Sequence, residues 1–179
     1  SAASDVYKRQ GTIVTKGGMT YEFRAKEIVK GSGYISRQCC GSTEIELGTV
    51  YAAEMGITLL SDIDRYTLED AQVTLVFHLV LADDSVEDVP MGVFEVSEAN
   101  RLAKCLELKA YDFMLRFDKS FNGFETVGTA YDFIALCCKR CKVEFANKRA
   151  EIDAMPNGGV TLSVYTENDI ETCRDVLFY

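Results

Sequence analysis

Residues 91–119 constrain this chain most, because they alternate apolar and polar side chains with a period of two on both sides of a turn. A segment patterned this way folds as a β-hairpin with one buried face. Val93, Glu95 and Ser97 alternate with Phe94, Val96 and Glu98, and a turn is expected at Ala99-Asn100. On the return, Leu106, Leu108 and Ala110 alternate with Glu107, Lys109 and Tyr111, which predicts Leu106, Leu108 and Ala110 in the core.

The same pattern recurs upstream. Tyr21, Phe23 and Ala25 alternate with Glu22, Arg24 and Lys26; Ile45 and Leu47 alternate with Glu44 and Glu46; Ile57 and Leu59 bracket Thr58. Residues 73–82 form the longest apolar run and are apolar on both faces, which predicts a strand covered on each side. The run is far shorter than the roughly 20 residues of a membrane-spanning helix. Its flanks, Glu69-Asp70 and Asp83-Asp84, are acidic, so no membrane insertion is expected. About six strands at this spacing predict a small antiparallel barrel or a strongly bent sheet.

From Thr126 the period changes to that of a helix. Ala130, Phe133, Ile134, Cys137, Cys138 and Cys141 recur at three- and four-residue spacing behind a capping box of Thr129 and Asp132. Asn157-Gly158-Gly159 predicts a turn, residues 160–165 a short strand, and Thr172 with Asp175 the start of a second helix. The expected fold class is therefore α+β, mainly β. A β-rich domain is expected over residues 11–123 and the start of a mixed α/β domain over 124–179, with the boundary between Gly123 and Gly128. Residues 1–10 resemble the translation of a transposase-type sequencing adapter, lack an initiator Met and are set aside as a non-native leader. The apolar stripe Val176, Leu177, Phe178 stops within two turns of Thr172, and a helix that short does not stand alone, so a piece of a longer protein is expected.

A content of 47% hydrophobic and 26% charged residues excludes a disordered chain. The formal charge of -9, with bases scattered among acids, excludes a surface that binds nucleic acid by neutralising phosphates. Seven cysteines is an odd number, and the adjacent pairs Cys39-Cys40 and Cys137-Cys138 are poor disulfides within themselves. Free thiols and synthesis in a reducing cytoplasm are the expectation.

Catalytic, cofactor-binding and metal-ligating residues are assigned to none of the motifs. Cys138-Lys139-Arg140-Cys141 has redox spacing, but a redox pair opens a helix after a strand and this one ends a helix. As a zinc half-site it lacks a second pair. His78, the single histidine, sits mid-strand and reads as a hydrogen-bonded strand residue rather than a base. Asp62/Asp64, Asp83/Asp84 and Asp112/Asp118 read as solvated turn acids, since none fits a calcium-loop pattern. Lys16-Gly17-Gly18 and Lys30-Gly31-Ser32-Gly33 lack phosphate-loop spacing and read as turns.

Three stretches, taken in order, resemble the N-terminal region of phage and prophage tail-tip hub proteins. They are residues 41–59 with Glu46-Leu47-Gly48; the hairpin with Pro90-Met91-Gly92-Val93-Phe94 and Ala110-Tyr111-Asp112; and Thr172-Cys173-Arg174-Asp175-Val176-Leu177. The resemblance implies a structural protein of the virion tail, made in the bacterial host cytoplasm, with no catalysis in this chain. It implies self-association into a ring, usually a homotrimer, that closes the tail tube beside distal tail and tail tube proteins, and passage of DNA without sequence-specific binding. Part of the acidic surface is expected to face that channel and repel DNA. Two other expectations are an attachment domain for a cell-wall hydrolase lying beyond Tyr179 and a thiol redox protein using Cys138 and Cys141.

Overall fold

The computed structural model describes residues 7–38, 50–121, 126–164 and 170–178. The expected strand at Ile45 and Leu47, residues 41–49 of the motif over 41–59, Cys39-Cys40, residues 123–125 of the expected boundary and Tyr165 lie outside the described residues. The chain forms two compact units, Ser1–Gln38 with Ala52–Asp112, and Cys39–Tyr51 with Phe113–Tyr179.

The first unit is a seven-stranded antiparallel sheet. Its strands are β1 (Tyr7–Val14), β2 (Thr20–Arg24), β3 (Tyr34–Ser36), β4 (Glu54–Leu60), β5 (Gln72–Val80), β6 (Val86–Leu102) and β7 (Cys105–Tyr111), in the order β2-β1-β5-β6-β7-β4-β3. The ring of hydrogen bonds is not closed, so of the two expected forms the bent sheet is the one present, with short β2 and β3 at its edges. One cluster of buried side chains joins its strands, from Phe23 of β2 through Ile13, Val73, Phe94 and Leu108 to Met55 of β4, with Leu68 and Ala71 from the segment before β5. Leu106, Leu108 and Ala110 are buried on alternate positions of β7, and Ile57 and Leu59 of β4 face the same core.

Two β-bulges account for the departures from simple alternation. In the first, Gly92 pairs with Leu75 and Pro90 with Val76, which leaves Met91 as the extra residue. Gly92 has φ +129, a conformation L side chains rarely adopt, and a Cβ there would meet the Phe94 ring at 3.2 Å. The freed Met91 carbonyl accepts a hydrogen bond from the Arg37 guanidinium at 2.7 Å. Pro90, which has no N–H to give, is tolerated in an internal strand because it sits at this bulge.

The second bulge lies between Val96 and Glu98. Before it Phe94 and Val96 face the core; after it Ala99 does, so the apolar phase slips by one residue. That slip mimics a strand end. The turn expected at Ala99-Asn100 is instead at Ala103-Lys104, where Ala103 takes φ 53, and β6 runs on to Leu102.

Residues 73–82 are not covered on both sides as expected. Val73 is fully buried, but residues 74–80 are half-buried and Leu81 is 40% exposed. Past the first bulge β5 leaves the core and pairs with residues 86–90 of β6 and residues 7–10 of β1, forming a three-stranded ribbon. Residues 7–10, set aside with the leader in the sequence reading, thus form the first half of β1.

The second unit comprises a 3-10 helix (Phe113–Asp118), the two-stranded sheet of β8 (Thr126–Gly128) and β9 (Leu162–Val164), and helices α1 (Ala130–Cys141), α2 (Arg149–Asp153) and α3 (Cys173–Phe178). Its core is Phe117, Phe121, Phe133, Val164 and Val176 together with Cys137, Cys138, Cys141 and Cys173. Both expected capping boxes are present. Asp132 accepts from the Thr129 N–H and hydroxyl at 2.9 and 3.0 Å, and Asp175 accepts from the same groups of Thr172 at 2.8 Å each. The short helix α2 was absent from the sequence expectation.

Two substitutions test this account of the sheet. Leu106→Ala removes a fully buried side chain from the centre of the core and is expected to cost about 2–5 kcal/mol, while Gly92→Ala strains the bulge by about 1–3 kcal/mol. Val86→Thr, at an exposed ribbon position, is expected to stay within about 0.5 kcal/mol of the parent. Urea unfolding followed by circular dichroism separates the three, and equal stability of all of them would refute the assignment of core, bulge and ribbon.

Candidate functional site

His78 sits on β5 in the ribbon, directly opposite Asp88 of β6. Its Nδ1 is hydrogen-bonded to the Asp88 carboxylate, and its Nε2 is buried without a hydrogen-bond partner among the described residues. A base acts only where its free nitrogen reaches a substrate proton. With Nδ1 occupied and Nε2 shut away from solvent, the imidazole is held as a strand side chain, in keeping with the sequence reading.

Around His78 the ribbon presents apolar surface rather than chemistry. Val86 is 59% exposed, Val89 37% and Leu81 40%. One acid of its tip is tied into the turn: Asp83 accepts from the Ser85 hydroxyl at 2.5 Å and from the Ser85 N–H at 3.1 Å, hydrogen bonds that lower its pKa.

On the outer face of β3, β4 and β7 lies a polar cluster centred on Glu54. Its carboxylate accepts from the Tyr34 hydroxyl at 2.5 Å and pairs with the Lys109 ammonium at 3.3 Å; Lys109 also lies 5.4 Å from the Tyr111 ring centroid. The Tyr34 hydroxyl is the main cause that lowers the Glu54 pKa, and the same bond raises that of Tyr34. Gly56 makes room for the Tyr34 ring, since a Cβ there would lie 2.3 Å from it. Tyr111, a residue of the hub-like motif, therefore belongs to a cross-strand cluster that fixes the register of β3 against β4.

Cys138 and Cys141 fall in the last turn of α1 and are buried, as are Cys137 and Cys173. Burial comes first among the causes that push the Cys137 thiol up to about 12 and the Cys141 thiol up to about 11, followed by the neighbouring Cys173; Cys138 is raised for the same two reasons. A redox pair draws its reactivity from a lowered thiol pKa at a helix N-terminus. These thiols lie instead at the C-terminal end, where the helix dipole opposes the thiolate. Among the described residues no group of three or more His, Cys, Asp or Glu could hold a metal ion.

The C-terminal end of α1 is closed by cations instead. Lys142 takes the left-handed conformation with φ 56, the Arg116 guanidinium donates to the Lys142 carbonyl at 2.9 Å, and the Lys119 ammonium donates to the Arg140 carbonyl at 3.0 Å. Arg174 joins three parts of this unit by donating to Asp118 at 2.6 Å and to the carbonyls of Val50 and Met114 at 2.9 and 3.3 Å. Arg174 and Asp118 had been read only as a motif residue and a turn acid, because their pairing spans 56 residues of sequence.

Asp64 and Gly18 also serve local structure. Asp64 caps a 3-10 helix by accepting from the Tyr66 N–H at 3.1 Å, and Gly18 closes the β1–β2 turn with φ 83 and an N–H donated to Thr15 at 2.9 Å. Among the described residues no helix is long and apolar enough to cross a membrane.

No protein-family model matches this chain, and no curated protein does. Among solved structures it is similar to a chain of a particle described as "Virion of native gene transfer agent (GTA) particle", with 13% identity, a TM-score of 0.40, and coverage of 68% of this chain and 48% of that one. It thus spans about half the length of that protein.

The α1 cap supplies a pH test. The Arg149 guanidinium first, then the Thr129 N–H and hydroxyl, hold the Asp132 carboxyl down at about 2, below its ordinary 3.8. A carboxyl lowered by folding contributes stability that is present above its ordinary value and lost as pH falls through the folded one. Thermal melts from neutral pH down to about 2 are therefore expected to show a fall in the midpoint below pH 4 that Asp132→Asn makes shallower, the rest belonging to other lowered carboxyls such as Glu54 and Asp83, and the variant is already less stable at neutral pH. The same acid limb in both proteins would refute the role of this carboxylate.

Proposed function

We propose that this chain is a structural component of a phage tail tip or baseplate hub, assembling with copies of itself into a ring that closes the tail tube and supports host attachment and DNA passage. The ordered resemblance of the hairpin and the Thr172 segment to tail-tip hub proteins supports this reading, and two of its motifs serve construction. Pro90-Met91-Gly92 builds a bulge, and Thr172 with Asp175 caps α3.

The single observation that carries the reading is the apolar ribbon. A strand with Val76, Phe77, Leu79 and Val80 around a single histidine reads as buried on both faces, yet here it is half-buried and flanked by exposed Val86 and Val89. Contiguous exposed apolar surface marks an interaction site, and a ring supplies the missing cover from the neighbouring subunit. The chain itself performs no catalytic step in this reading: its histidine is held by Asp88 and its α1 thiols are buried. Asp83, Asp84, Glu87 and Asp88 at the ribbon give the acidic surface a place beside a DNA channel, where it repels the phosphates.

Analytical ultracentrifugation over a range of concentrations tests the assembly, with the double variant Val86→Glu, Val89→Glu as comparison. The parent chain is expected to form trimers as concentration rises, and the variant to remain monomeric with an unchanged circular dichroism spectrum. A parent chain that stays monomeric, or a variant that assembles as well as the parent, would overturn the reading.

A further inference from the structure

The bent sheet does not close, and the first unit holds a cavity of about 180 Å³ along the open seam. Its walls are apolar: Ile28, Ile35 of β3, Ile57 of β4, Phe77 of β5 and the bulge residue Met91. Val73, Leu75 and Phe77 alternate along β5 and share one face. Val73 is fully buried in the core, whereas Leu75 and Phe77 line the cavity, so the cavity continues the core's face out along the ribbon. Among the described residues, Arg9 of β1 is the only charged one in its lining. The Arg9 guanidinium lies 5.1 Å from the Phe77 ring centroid, and Gly33 leaves it room, since a Cβ there would meet Nη1 at 3.0 Å. Among the described residues no carboxylate pairs with it. An apolar recess with an unpaired cation at its mouth suits an apolar side chain that arrives beside an acid.

Charge is segregated within this unit so as to supply such a segment. Residues 7–38 carry seven bases and two acids, whereas residues 81–89, at the tip of the ribbon, carry four acids and no base. Leu81 is 40% exposed there. Glu87, which pairs with Leu79, is exposed on the same face as Phe77. We propose that the tip of one copy's ribbon docks in this cavity of the next copy, with Leu81 entering it and Glu87 meeting Arg9. The proposal rests on the ring reading above and names the surface that receives the ribbon. A copy cannot fill its own cavity, because Phe77 is part of the wall and about 13 Å of extended strand carry Leu81 away from it. The two surfaces therefore differ and lie on separate parts of one unit, which is the head-to-tail arrangement that closes a ring. Asp88 lies on the opposite face, held by His78, and takes no part.

Sedimentation of the full chain tests this with two variants at exposed positions, Arg9→Glu in the cavity and Leu81→Asp at the tip. Each alone is expected to need at least about tenfold more protein than the parent to form trimers. In the first a like charge meets Glu87, and in the second a charge enters apolar walls. Mixed one to one, they are expected to form a dimer that does not grow, because the first brings an intact tip and the second an intact cavity. Hydrogen exchange on the parent needs no variant to fold, and assembled samples are expected to be more protected than dilute ones at both residues 28–35 and 81–87. Trimers as stable as the parent's in either variant, a mixture of folded variants that stays monomeric, or protection at only one of the two segments would overturn the docking and leave the ring reading standing. A parent chain that stays monomeric would overturn both.

Discussion

Continuity of the seven-stranded sheet depends on the backbone of β6 at one position. Residues 86–95 of β6 pair with β5 and residues 95–102 pair with β7, so Glu95 is where the strand is bonded on both sides, to Gln72 and to Tyr111. Immediately after it the Val96 N–H turns to the Ala71 carbonyl at 2.8 Å. β5 and β7 are therefore displaced along β6 by almost the length of a strand. This offset divides the unit into a compact half, built by β7 and β4, and a ribbon, built by β5 with the ends of β1 and β6. The two bulges lie on either side of the handover, where they add local twist and let one strand serve both halves.

The displacement explains which parts of the fold the sequence makes legible. Where a strand keeps one partner and one buried face, as β7 does, alternation names the core residues directly, and Leu106, Leu108 and Ala110 are all buried. The helix α1 was legible for a similar reason, since its period and its Thr129–Asp132 box are both local. The end of β6 was not legible, because a one-residue bulge at Ser97 shifts the phase without any glycine or proline to mark it. Nor was the exposure of β5: a run apolar on both faces signals cover on both faces, but not whether the cover comes from the same chain.

The candidate sites were legible in a different sense. Reading His78 as a strand residue depended only on its apolar neighbours, and the structure adds the Asp88 partner, ten residues away across the ribbon. For the cysteines the sequence drew attention to the nearest spacing, Cys138 and Cys141, because short-range motifs are all that spacing can reveal. Cys173 of α3 joins the same buried cluster. Only packing brings Cys173 to the end of α1, and Lys119, an unremarkable base in the sequence, holds both segments through main-chain bonds.

These features share a physical logic. A folded domain is stable by only about 5–15 kcal/mol, so apolar side chains left in water on a ribbon are retained at a real cost, while buried thiols pack as small apolar groups at little cost. The first unit meets that cost through the ladders of β1, β5 and β6, which run through the ribbon beyond the first bulge and fix its backbone. The surface it offers is therefore preorganised, the condition under which docking costs little conformational entropy. The second unit has the opposite design, because its chemically distinctive groups lie inside and its cations face outward to close helix ends. The exposed ribbon of the first unit and the buried thiol core of the second are thus separable features, carried by different residues and open to independent change.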